Sequence, residues 1–118
     1  LRRDTSFYLL GWTPGTYDSH NPLSSLMATP NDKGQGQFNL GSYSNPKIDE
    51  LTLKIQSETD TTKRQAMITE AFKIHQDDIG HIPLHQQALA WAMKKNVSLM
   101  QLADNFMPFK YISVKGAP

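Results

Sequence analysis

Trp12, Tyr17, Asp18, His20 and Asn21 crowd the stretch Gly11-Trp12-Thr13-Pro14-Gly15-Thr16-Tyr17-Asp18-Ser19-His20-Asn21-Pro22, which follows directly on the apolar run from Phe7. Two aromatic rings supply apolar walls or stacking surfaces, and a carboxylate, an imidazole and an amide orient polar groups. Ligands of α/β folds commonly sit at such strand ends. Gln35 and Asn39, on the same long loop, are outlying candidates. Each residue also has a plain structural use. Trp12 can pack a core, and Asp18 or Asn21 can cap a short helix at Pro22-Leu23. The cluster as a whole favours binding more than any single member does.

The histidines raise a second chemistry. His81 and His85 have the i, i+4 spacing of a helical zinc pair, but Pro83 lies between them and no Glu follows His81, so the helical zincin geometry fails. His75, on the apolar face of a helix, reads as a core histidine. No metal or other cofactor is expected, and a metal-dependent hydrolase using His20, His81 and His85 is the alternative to a binding protein. Nucleophilic catalysis has less support. There is no Gly-x-Ser-x-Gly elbow, and Ser24-Ser25 has no base beyond its nearness in sequence to His20. Asp77 and Asp78 are adjacent on a helix and point apart, so they cannot flank one bond. Lys33-Gly34-Gln35-Gly36-Gln37 lacks phosphate-loop spacing and reads as a flexible loop.

The elements that must position these groups follow from pattern. Residues 5–12, Thr-Ser-Phe-Tyr-Leu-Leu-Gly-Trp, predict a buried strand. Thr13 to Ser44 predicts a long irregular segment with one helical turn at Leu23–Met27, and loops of this length are usually functional or disordered. Asn45-Pro46 opens a helix, with Asn as cap and Pro at the first position. Ile48, Leu51 and Ile55 form its apolar stripe. Asp60 caps a second helix. There Ile68, Ala71, Phe72, His75 and Ile79 share one face, Lys63, Arg64, Glu70, Lys73 and Asp77 face water, and Gly80 closes the end. The pair predicts a helical hairpin. Beyond it, His81–Gln87 and Ala88–Met93 read as one or two strands, although Ala88–Met93 could instead be helical because Ala, Leu and Met are good helix formers. Lys94–Asn96 predicts a turn and Lys110–Val114 a last short strand, while Val97–Leu102 is ambiguous. The order is strand, long loop, two helices, strands: a mixed α/β chain.

Composition sets limits on the rest. The chain has 118 residues, which suits one domain or a piece of a larger one. It opens Leu1-Arg2-Arg3-Asp4 without Met, as expected of a piece of a longer protein. Hydrophobic residues make up 38%, enough for only a modest core. A net charge of +1 with scattered basic residues disfavours nucleic acid. Zero cysteines exclude disulfides and thiolate chemistry. The longest apolar runs, Phe7–Leu10 and Ala88–Met93, are too short to span a bilayer.

Several pieces in order resemble the C-terminal part of the family 5 extracellular solute-binding proteins, which serve ABC importers of oligopeptides, dipeptides and nickel. They are the strand ending Gly11-Trp12, then Tyr17-Asp18-x-His20-Asn21-Pro22, then Phe38-Asn39-x-Gly41-x-Tyr43-Ser44-Asn45-Pro46-x-Ile48-Asp49-x-Leu51, Glu58-x-Asp60-x-x-x-Arg64 and Ile82-Pro83-Leu84. The spacing of Asp60 and Arg64 lets them pair on one helix face. The resemblance implies a type II-like fold of two lobes closing on a solute by hinge motion. Residues 1–90 would belong to the C-terminal ligand-binding lobe, and 91–118 would cross the hinge and return toward the N-terminal lobe. The implied partners are a small-molecule or peptide-like solute, an ABC permease and the other lobe, outside the membrane in a periplasmic or extracellular setting. Peptide binders of this family place an Asp three residues after the Trp to pair with the peptide's amino terminus. Here that position is Gly15, and Asp18 is the nearest carboxylate. The Tyr17-Asp18-x-His20 spelling is closer to the family's nickel-chelate binders, whose Trp is displaced by one position from Trp12.

Overall fold

A computed structural model describes residues 7–103 and 105–116. The chain is mixed helix and sheet and divides into two compact units, Leu1–Pro83 and Leu84–Pro118.

Among its described residues, the first unit is built on three helices. Helix α1, His20–Pro22, runs on as a π-helical turn, Leu23–Met27. Helix α2 spans Pro46–Ser57 and α3 spans Thr61–Asp77. Both long helices start where a side chain satisfies their free N–H groups. The Asn45 side chain accepts from the Lys47 amide, and Asp60 accepts from the amides of Thr62 and Lys63; a cap of this kind is worth about 1 kcal/mol. In the connection between them, the Glu58 carboxylate takes the Asp60 amide at 2.8 Å. Leu51 and Ile55 of α2 meet Ile68 and Ala71 of α3 around Leu23, and Met27, Met67, Phe72 and Ile74 cover this core.

Residues 28–45 return over the helices on specific hydrogen bonds. The amides of Gly36 and Phe38 donate to the carbonyls of Ser24 (2.8 Å) and Ser25 (2.9 Å), so the loop satisfies the end of the π-helical turn. Gly36 is required there twice over. Its φ is +61°, and an added Cβ would stand 2.6 Å from the Pro30 nitrogen. Asp49, in the first turn of α2, accepts the Thr29 amide at 2.7 Å and the Thr29 hydroxyl at 2.6 Å.

The end of α3 departs from expectation. Ile79, expected on the apolar face, lies beyond the helix, 70% exposed, with φ +53°. The Ile79 amide donates to the Gln76 carbonyl and the Gly80 amide to the His75 carbonyl, both at 3.0 Å. This is a Schellman termination with isoleucine in the left-handed position where glycine usually sits. Gly80 serves space instead: a Cβ there would be 2.7 and 2.8 Å from the two ring nitrogens of His75.

The predicted strands at 5–12, 81–87 and 88–93 are corrected. Residues 7–12 and 81–93 have no regular secondary structure, and residues 5 and 6 lie outside the described ones. A strand exists only when a neighbour completes its ladder, and among the described residues neither segment has one. Phe7 and Leu9 are accordingly 83% and 82% exposed. In the second unit, β1 (Val97–Ser98) pairs antiparallel with β2 (Ser113–Val114), matching Val97 to Val114 and Ser98 to Ser113. This resolves the ambiguous 97–102 segment and shortens the predicted strand at 110–114, because Phe109–Tyr111 forms a 3-10 turn. The Val97 amide closes the expected turn on the Lys94 carbonyl at 2.9 Å. Among the described residues no helix is long and apolar enough to cross a membrane.

Candidate functional site

The segment after Trp12 is shaped by a turn and then by a charge. The Tyr17 amide donates to the Pro14 carbonyl at 3.1 Å, closing a turn over Gly15 and Thr16. Gly15 is not demanded by sterics, since a Cβ there would meet nothing within 4 Å. Tyr17 follows in the left-handed region at φ +55°, and the residue is 61% exposed. Asp18 lies just ahead of the first helix, whose N-cap is Ser19, and one of its carboxylate oxygens accepts the His20 amide at 2.8 Å.

Trp12, Asn21 and Phe38 come together. The indole N–H of Trp12 donates to Asn21 Oδ1 at 2.8 Å, and its ring lies against Phe38 with centroids 5.0 Å apart at 57°. Trp12 and His20 are half-buried. An aromatic shelf with a fixed indole, an exposed phenol and an imidazole close by in sequence can stack on a planar or apolar group and donate or accept at its edge.

Asp18 is held from the other side by α3. Arg64 brings one guanidinium nitrogen within 2.9 Å of both Asp18 oxygens, and its Nε donates to the Ile55 carbonyl at 3.2 Å. The hydrogen bond from Arg64, joined by that from the His20 amide, holds the Asp18 carboxyl below its ordinary pKa. This corrects two expectations. Arg64 does not face water, and it does not pair with Asp60, whose carboxylate is used as the cap of α3. Asp18 carries an internal counter-ion as well as a backbone hydrogen bond, so its charge is already matched.

The outlying candidates lie in the loop's own fabric. Asn39 is 1% exposed and uses its whole amide: Nδ2 donates to the carbonyls of Ala28 (3.0 Å) and Tyr43 (2.8 Å), while Oδ1 accepts the Tyr43 amide (3.0 Å). Gln35 Oε1 accepts from Asn31 Nδ2 at 2.7 Å, closing a small turn. A depression of about 550 Å³ beside that turn includes Gln35, and one of about 710 Å³ lies on the outer face of α3 between Thr61 and Lys73. Neither is lined by Trp12, Tyr17 or Asp18. The Ser24 hydroxyl donates to the Asn21 carbonyl at 3.2 Å.

No three of the described His, Cys, Asp and Glu residues gather as a group able to hold a metal ion. His81 bonds to His75 in the first unit, and His85 lies in the second. Phe38 and Arg64 are the site residues that sequence reasoning missed. Both stood inside quoted motifs, but only their fold partners give them roles. Set against protein-family models, curated proteins and solved structures, the chain matches none.

Proposed function

We propose that the chain is part of the substrate-binding component of an ABC importer, which captures a peptide-like compound or metal chelate between two lobes and delivers it to a permease. On this reading it acts outside the membrane, in a periplasmic or extracellular setting, and performs no chemistry on its solute. The observation that carries the reading is the Trp12 shelf: an indole pinned by Asn21, backed by Phe38 and followed by the exposed Tyr17. The motif residues around it support the reading by locking one another. Asp18 is tied to Arg64 and Asp49 to Thr29, while Asn39 holds Tyr43.

Half a cleft leaves a solute wet, so the reading needs an opposing lobe, and binding is measured in a protein that holds both. Calorimetry with the solute that co-purifies, identified by mass spectrometry, tests the shelf. Trp12→Ala and Tyr17→Ala are each expected to weaken binding at least tenfold, about 1.4 kcal/mol. Unchanged affinity in both variants would remove the shelf from the site.

A further inference from the structure

His75, 3% exposed, ends the buried face of α3. Its Nε2 lies 2.8 Å from His81 Nδ1. The ring centroids are 5.0 Å apart with planes inclined by 30°, so the rings meet edge to edge through the facing nitrogens. The far nitrogen of His81, Nε2, is 3.4 Å from the Tyr8 hydroxyl, and the Tyr8 ring stands edge-on to it. On its other side His75 meets the edge-on ring of Tyr43, centroids 4.7 Å apart. The Tyr43 hydroxyl donates to Asp78 Oδ2 at 2.6 Å, and Asn45 Nδ2 donates to the same oxygen at 2.7 Å. His75 Nδ1 is buried without a partner.

These contacts select the tautomers. Two facing nitrogens at 2.8 Å share one hydrogen, so one imidazole donates and the other accepts. A buried N–H without an acceptor is rarer than an acceptor left with a free lone pair. His75 therefore carries its hydrogen on Nε2 and donates to His81 Nδ1. His81 in turn carries its hydrogen on Nε2, toward Tyr8.

We propose that the His75–His81 pair is a proton-operated latch. When neutral it holds Tyr8, and with Tyr8 the start of the segment that bears Trp12; when doubly protonated it releases them. The first added proton has only His75 Nδ1 to occupy, where no acceptor waits. The second puts a hydrogen on each facing nitrogen and sets two cations side by side, so the bridge opens. The ionisable groups facing the pair are Tyr8 from the segment before the turn, Tyr43 from the loop ahead of α2, and Asp78 from the end of α3. Asp49 of α2 acts on Tyr43. Asp78 favours a charged His75, but burial outweighs it, and the neighbouring His81 adds to the effect. His75 is pushed down to about 4, and burial lowers His81 as well. The latch is thus closed at neutral pH and opens in acid. It is a property of the fold and does not depend on the solute-binding reading.

NMR of the whole chain with labelled histidine and tyrosine tests the latch. At pH 7 both imidazoles are expected as Nε2–H tautomers. On acidification both should titrate below the ordinary 6.5 as a linked pair, and the Tyr8 ring resonances should move to solvent-exposed values at the same midpoint. His81→Phe should release Tyr8 already at pH 7 and abolish its pH dependence, while His85→Phe should leave the transition intact. Independent titration of the two histidines near 6.5, or Tyr8 resonances that ignore the pair's midpoint, would overturn the proposal. Both of these readouts come from the unmutated chain, so they decide the matter even where His81→Phe does not fold.

Discussion

Asp18 receives one nitrogen of Arg64 on both of its oxygens, forty-six positions away in sequence. The pair is partly open to water, with side-chain exposures of 42% and 26%, so screening limits its strength to about 1 kcal/mol. A double-mutant cycle with Asp18→Asn and Arg64→Met, read by urea unfolding, is expected to show coupling of that size. Strictly additive losses would mean that the bridge contributes nothing. On the proposed solute-binding reading, the bond would bear on recognition as well as stability. A carboxylate already matched by a guanidinium is a poor counter-ion for a ligand's ammonium group. With glycine at position 15, the shelf offers stacking and hydrogen bonding in place of a free negative charge. The residue types here were legible in the sequence. The pairing was not, because Asp60 stands one helical turn from Arg64 and looks like the nearer partner.

At the scale of elements, the two long helices form where apolar spacing and caps agree, and α3 ends against local preference. Ile79 holds φ +53°, which is unfavourable for a β-branched residue by roughly 1–2 kcal/mol. It recovers little by burial, being 70% exposed. Ile79→Gly should therefore raise stability by about 1 kcal/mol in chemical denaturation. Gly80→Ala should lower it by about 1–3 kcal/mol, because the new methyl group must displace the packed His75 ring. A gain from the second change and a loss from the first would show that the turn is held in some other way. Sequence pattern placed a glycine-type ending within a residue of its true position, but it exchanged the reasons. The left-handed residue is the isoleucine, and the glycine makes room for a ring.

For the molecule as a whole, the buried histidine ties stability to pH. His75 has a folded-state pKa of about 4 against an ordinary 6.5. Between those values the unfolded chain binds a proton that the folded chain refuses, so stability rises with pH. The contribution is fully present above about pH 6.5 and is lost as pH falls through about 4, at most about 3 kcal/mol in all. Asp18 and Asp78 are lowered by their hydrogen bonds and act in the same direction at still lower pH, since their contributions fade below the ordinary 3.8. The urea midpoint at pH 4.5 should lie below that at pH 7.5, and His75→Gln should narrow the gap. Equal midpoints in the unmutated chain would contradict a buried neutral imidazole.

The sequence by itself determined the helical hairpin. Its caps at Asn45 and Asp60 and its stripe through Ile48, Leu51 and Ile55 act over a few residues, and local spacing contains that information. It also marked the long segment from Thr13 to Ser44 that bears Tyr17, through a density of prolines and polar side chains that leaves room for only short helical turns. Only the tertiary structure decided which of those groups are committed inward. Asn39 is spent on backbone, Asp18 on Arg64 and His75 on His81, because each partner arrives from a distant part of the chain. The segments at 7–12 and 81–93 carry side chains suited to strands, but strand formation depends on an adjacent backbone. A sequence records the capacity to pair; the presence of a partner belongs to the assembled fold.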